Sequence, residues 1–491
     1  MLDLLTIYAL VALVLIVSGL ASGVIERAPL SFPIIFLGLG FLLGANGLDV
    51  LEIEPESAGL EAVAFLVLAL ALFLDATRLR IGEIGAAGLI PMLSLGPGTV
   101  IIIALIALGS YLLLGLSVVQ SLLVGTILAS TDPVVLRDVV RNERIPRSIR
   151  RALTIEAGTN DLVVLPVLLV LVAFANGEAG GVLDWLTYIG RIFVVGPVVG
   201  FAVGAAGAWI MSKVDSAFGI RREYQALYGI GLVLFAFTAG QLSGGDGFLA
   251  AFAAGLAVAA LNVDLCDCFL EYGETTAEAA MLLTFVLFGA VISEIAFKAP
   301  LGSTLILAAL VIFVARPLAI GLVLRRAKVS PLARAFIGWF GPRGLNSLLL
   351  ALLVVQDGVP GAEVLLAVVG VVVTISVVAH GATATPFSSL YGRTVERTTL
   401  EEERESTAAG LFAGSEGALR ISADELARRL QGAHSPLVLD VRTRSQYERD
   451  PARIPGSVRV LPDHVQDWVM GYLADHPDGE PHLPPITTYC T

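Results

Sequence analysis

Three short motifs carry the chemistry in this 491-residue chain: Ser130-Thr131-Asp132-Pro133, Glu156-Ala157-Gly158-Thr159-Asn160-Asp161 and Gly341-Pro342-Arg343-Gly344. All lie in long apolar stretches, where an ionisable side chain costs about 2.5–3.5 kcal/mol on insertion scales and so needs a reason to be there. Asp75 and Arg316 are similarly placed. For Arg316 the expected reason is structural, as one half of a neutralised pair. Asp75 precedes Arg78 by one helical turn and reads equally well as a site residue or as a carboxylate at the membrane rim. Asp132 lies beside Pro133, which frees backbone carbonyls in mid-span. Residues four apart on a helix share a face, so Ala157 and Asp161 line one side and Glu156 and Asn160 a neighbouring one. Asp161 then faces a cavity. Glu156 faces a partner, and Arg343 is the expected one, because a buried carboxylate left unpaired is costly. Two carboxylates with broken-helix carbonyls make a hard-oxygen cage for a small hard cation rather than a soft metal. Protons and cations compete for such a carboxylate, and a cage open to one side at a time turns that competition into exchange. Asn160 in place of a second aspartate points to one titrating charge, hence one proton per monovalent cation.

Groups of this kind must be held by membrane-spanning helices. Hydrophobic residues are 56% of the chain, charged residues 15%, and mean hydropathy is +0.84, against roughly 25% charged residues in an ordinary globular protein. This excludes a secreted, nucleic-acid-binding or ordinary cytosolic protein, and the net charge of −12 also argues against nucleic acid. Segmentation at Gly, Pro and charge clusters predicts 13 spans, near residues 4–24, 30–47, 59–77, 86–114, 118–139, 150–175, 185–212, 223–243, 247–263, 278–296, 302–324, 332–355 and 362–385. No basic region precedes the first, which is expected to be a retained helix and not a signal peptide. Connections after odd-numbered spans hold 16 Lys and Arg, including Arg137, Arg141, Arg144, Arg147, Arg150 and Arg151. Connections after even-numbered spans hold only Arg191 and Lys298. Cytoplasmic loops retain basic residues, so the N-terminus is expected outside and the C-terminus in the cytoplasm. Six spans on either side of a seventh would form two inverted repeats, with the fifth and twelfth broken at Asp132-Pro133 and Gly341–Gly344. In the seventh, Gly196, Gly200 and Gly204 predict close helix packing, with a dimer face as the alternative.

The last 100 residues hold 11 of the 31 Lys+Arg and 16 of the 43 Asp+Glu, the composition of a soluble domain. The expected division is a membrane domain over 1–391, a charged linker over 392–415 and a small α/β tail over 416–491. Cys266-x-Cys268 has no His or further Cys nearby and is not expected to hold metal.

At its three motifs the membrane domain resembles the bacterial NhaP-type sodium/proton antiporters, prokaryotic relatives of the animal sodium/proton exchangers. The resemblance implies an all-α polytopic transporter that needs no cofactor and is no enzyme. It also implies an inner-membrane homodimer exchanging protons electroneutrally for sodium or potassium. It assigns Asp161 as the exchanging carboxylate, with Asp132 and the Thr131 backbone coordinating the ion and Asn160 shaping the site. It further implies a Glu156–Arg343 ion pair and a contribution from Asp75 in the third span. Many members carry a hydroxyl where this chain has Ala157, so water or Thr159 is expected to complete the shell, and the choice between sodium and potassium stays open. The tail resembles a rhodanese-like domain through Asp440-Val441-Arg442, Ile454-Pro455-Gly456-Ser457 and Tyr489-Cys490-Thr491. In that family the cysteine is the nucleophile. Here the chain stops one residue after Cys490, so an incomplete module without sulfurtransferase activity is expected. A cation channel and a membrane-tethered sulfurtransferase or sulfur sensor remain the alternatives. The first needs no titrating Asp161, and the second depends on Cys490.

Overall fold

A run of apolar residues in a bilayer must satisfy its backbone internally, and helices dominate accordingly. The computed structural model describes residues 4–25, 31–79, 89–142, 144–177, 181–261, 273–327, 329–397, 421–432, 435–442, 447, 452–461, 465–474 and 486–489. Cys266, Cys268, Cys490 and most of the expected linker lie outside the described residues. The membrane domain consists of α1 (Leu4–Ile25), α2 (Phe32–Leu43), α3 (Ala58–Arg78), α4 (Leu89–Leu114), α5 (Val118–Ile127), α6 (Pro133–Arg141), α7 (Arg147–Asn176) and α8 (Val182–Phe218). It continues with α9 (Arg222–Leu242), α10 (Gly247–Leu261), α11 (Glu274–Ile295), α12 (Leu301–Arg326), α13 (Pro331–Trp339), α14 (Leu345–Gln356) and α15 (Ala362–Arg397). Among the described residues, 8 of these are long and apolar enough to cross a membrane unaided. Shorter apolar helices, Tyr8–Leu20, Phe32–Leu43, Val118–Ile127, Gly247–Leu261 and Leu345–Gln356, fall in the other expected spans. Large apolar side chains such as Phe201, Trp209 and Phe235 stand exposed on the outer faces of these helices, as lipid contact requires.

The glycine stripe of the seventh expected span settles its own alternatives. Gly196, Gly200 and Gly204 are buried, and a Cβ at each would strike the backbone of Asp246, Ala250 or Ala254. They let α8 lie against α10 of the same chain, so their face is internal packing and not a dimer surface. Gly200→Leu is expected to push α10 away and to lower the melting temperature of the purified protein, overpacking costing about 1–3 kcal/mol. Gly231→Ala in α9, where nothing lies within 4 Å of an added Cβ, is expected to leave it unchanged or higher.

Two helices are interrupted where their prolines predict. The fifth expected span splits into α5 and α6 around 128–132, and the twelfth into α13 and α14 around 340–344. In α12 the turn Leu310–Ala315 is widened to a π-helical one immediately before Arg316-Pro317. Such bulges reorient the side chain that follows.

The tail is α/β. Strands β1 (Leu437–Asp440), β2 (Val458–Arg459) and β3 (Ile486–Tyr489) form a parallel sheet in the order β2-β1-β3, accompanied by α16 (Ala423–Leu430) and α17 (Val465–Ala474). Parallel pairing requires crossovers, and α17 lies in the one between β2 and β3. Behind the sheet, Arg442 is fully buried and bonds Asp440 at 2.7 Å, while the Tyr489 hydroxyl donates to the same carboxylate at 2.9 Å. Burial alone would push Asp440 up, but these donors hold its carboxyl below the ordinary range.

Candidate functional site

The two helix breaks cross and satisfy one another. Asp132 precedes Pro133 as the cap of α6, accepting the Val134 N–H at 2.8 Å on Oδ1. Its Oδ2 accepts the Leu345 N–H at 2.6 Å, at the start of α14. A single carboxylate thus caps two helices, where N-terminal amides and the helix dipole favour negative charge. The Asp132 N–H in turn donates to Pro342 O at 2.9 Å. Gly344 is required there, because a Cβ would collide with the Asp132 carboxylate. The Arg343 guanidinium, 0% exposed, donates to Ala129 O and Ser130 O at 2.9 Å each, and its backbone N–H donates to Ser376 Oγ of α15. The carbonyls freed by the first break are therefore largely occupied by the second.

Helix α7 lays its carboxylates against this crossing. Asp161 is 3% exposed; it accepts the Ser130 hydroxyl on Oδ1 and the Asn346 amide Nδ2 on Oδ2, both at 2.6 Å. No cationic side chain pairs with it among the described residues. Asn160 beside it is buried, and its Oδ1 has no hydrogen-bond partner among the described residues; the same holds for the Thr131 hydroxyl. Thr159 donates its hydroxyl to Ile155 O of its own helix.

Glu156 does face a partner, but the expected one is corrected. Its carboxylate pairs at 2.5 Å with Arg316, not Arg343, and both side chains are buried. The widened turn in α12 presents Arg316 to α7, and the guanidinium also takes up Ile337 O and Phe340 O at the broken end of α13. Arg343 is fixed by the carbonyls of the other break. Arg316 is thus half of a neutralised structural pair, as expected.

Asp75 sits at a cavity of about 220 Å³ that is also lined by Asp132, Ala157, Gly158, Asn346 and Arg137. Its Oδ1 accepts a long hydrogen bond from Arg78 Nη1 at 3.4 Å, one helical turn away. Asp132, Thr131 and Asp161 therefore meet at the crossing and Asp75 lines the cavity beside it. Asp161, expected to face a cavity, does not line this one; Asn160 is its buried neighbour on α7, and Thr159 turns its hydroxyl to its own helix. Two polar groups at Asp161 were not anticipated. Ser130 stands inside the first motif and could have been read from it. Asn346 is a single amide in the largely apolar helix Leu345–Gln356, and its spacing gives no sign of Asp161.

The chemistry of the site is that of oxygen ligands around one unpaired carboxylate. Comparison with known proteins gives a consistent picture. The profile of the family described as "Sodium/hydrogen exchanger, transmembrane" matches residues 10–390. The K(+)/H(+) antiporter NhaP of Alkalimonas amylolytica is 26% identical over 391 residues, covering 77% of this chain and 65% of its own. The K(+)/H(+) antiporter NhaP2 of Shewanella sp. (strain ANA-3) is 28% identical over 387 residues, covering 77% and 66%. The chain thus spans just under two thirds of the length of these relatives. The structure of the sodium proton antiporter MjNhaP1 from Methanocaldococcus jannaschii superposes with a TM-score of 0.65 at 20% identity, covering 80% of this chain and 100% of that one.

Proposed function

Because this chain belongs to the sodium/hydrogen exchanger family, we propose that it is a secondary antiporter exchanging protons for sodium or potassium across the inner membrane, through Asp161. The observation that carries this reading is the company Asp161 keeps. Glu156 has Arg316, and Asp132 has two helix N-termini, but Asp161 has only neutral donors. A carboxylate buried without a counter-charge is costly as a bare anion, so it carries either a proton or a cation. One carboxylate exchanging one for the other moves no net charge, which makes the exchange electroneutral. The crossing breaks place this carboxylate where two helices end, the arrangement by which transporters hold ions at mid-membrane. The proposal includes thirteen spans as two inverted halves, an external N-terminus, a cytoplasmic tail and a homodimer. The potassium/proton relatives give potassium at least equal standing with sodium.

The test uses everted vesicles from cells lacking their own antiporters, acidified by respiration. Sodium or potassium is expected to dissipate the pH gradient, and an ionophore that collapses the membrane potential is expected not to alter that response. A cation current without coupled proton movement would establish a channel. Silence toward both ions would refute antiport.

A further inference from the structure

Asn346 stands between Asp161 and the cavity. It lines the 220 Å³ space together with Asp75, Asp132 and Ala157, whereas Asp161 does not. Its Nδ2 donates to Asp161 Oδ2 at 2.6 Å, so the amide holds the oxygen that an entering cation needs. Its Oδ1 accepts no hydrogen bond among the described residues. A primary amide has a donor edge and an acceptor edge. The torsion that interchanges them is broad and soft, so one turn of the side chain swaps an N–H for a carbonyl oxygen.

The Asp161 face of α7 offers little oxygen on the side of Asn346. Ala157 shares the Asp161 face of α7 and brings none, and the Thr159 hydroxyl is engaged with Ile155 O. Of the cavity-lining residues, Asn346 of α14 hydrogen-bonds Asp161 directly. Its backbone is pinned one residue away, where the Leu345 N–H is held by Asp132 Oδ2. The reach of the amide toward Asp161 is therefore fixed by the crossing, and a fixed reach discriminates between ionic radii.

Resting on the antiporter reading, we infer that Asn346 is a specificity-determining residue of the exchange. Its amide N–H keeps Asp161 Oδ2 until a cation displaces it, and the side chain then turns to give Oδ1 to that cation, supplying the oxygen that Ala157 lacks.

The test compares full-length wild type, Asn346→Ala and the double variant Asn346→Ala with Ala157→Ser in proteoliposomes. Two quantities are read for sodium and potassium separately: the apparent KM of exchange, and the rise in melting temperature that the cation produces in purified protein, a binding readout that needs no transport. Loss of one oxygen ligand is expected to raise the KM for the preferred ion roughly tenfold and to change the sodium-to-potassium ratio. Ala157→Ser is expected to restore part of the affinity by returning an oxygen to the same side. An unchanged KM and ratio in Asn346→Ala overturns the inference. So does an equal loss for both ions that Ala157→Ser does not repair, which marks a merely structural amide. Should Asn346→Ala fail to fold, Asn346→Gln keeps both edges one methylene farther out; a shifted ion ratio supports the inference and an unshifted one overturns it. Wild type that binds cations without exchanging them refutes antiport itself, and the melting-temperature response then decides on Asn346 alone.

Discussion

Asp161→Asn is expected to reduce cation-dependent proton exchange to background while leaving the protein folded. The asparagine carbonyl can still accept the Ser130 hydroxyl, and Asn346 can turn to face an amide, so the packing of α7 against the crossing survives. What is lost is the charge. Two unit charges 4 Å apart attract by about 4 kcal/mol at an effective dielectric near 20, so cation affinity falls by about a thousandfold. The amide also has no proton to exchange in the range where the carboxyl does. Dissipation of the pH gradient in everted vesicles measures the effect, with the melting temperature as the check on folding. Exchange that persists in a folded Asp161→Asn protein would move the exchanging role to Asp75 or Asp132.

The second large effect concerns the arginines. Arg316→Met is expected to destabilise the membrane domain by about 3–5 kcal/mol, because it strands the buried Glu156 carboxylate and two carbonyls at the end of α13. A fall in melting temperature of roughly 5 °C or more should be seen. Adding Glu156→Gln removes the stranded charge and should recover part of that loss. The same addition to Arg343→Met should recover markedly less, because Arg343 hydrogen-bonds carbonyls and meets Glu156 only as a nearby charge. This double-mutant comparison separates the two arginines. Equal coupling of Glu156 to both would contradict the pairing described.

The contrast between those arginines also shows what could be read from residues alone. The breaks at Pro133 and Pro342 were legible because proline acts locally. The apolar helices were legible because apolar length is additive along the chain, and 8 of them, among the described residues, are long enough to cross a membrane unaided. Glu156 needing a buried cation followed from its cost. Which cation it meets did not, since Leu310–Ala315 is an ordinary apolar stretch with no mark of the widened turn that delivers Arg316. Nor could Arg343 be seen to be engaged by Ala129 and Ser130, because that contact joins residues more than 200 positions apart. Asn346 escaped for a similar reason. One amide in an apolar helix says that something polar lies opposite, and only the fold says that it is Asp161. In the tail the parallel sheet agrees with the expected α/β character.

The shared cap at Asp132 has a mechanical consequence. One carboxylate rivets the start of α6 to the start of α14, joining the first half of the chain to the second. Sliding either helix along the other would strip both caps at once, so shear between them is resisted from both sides. Under the proposed antiport, a movement that re-exposes Asp161 to the opposite face of the membrane must then carry the two broken helices as a single piston head, with the seal remade at the cylinder wall formed by the other helices.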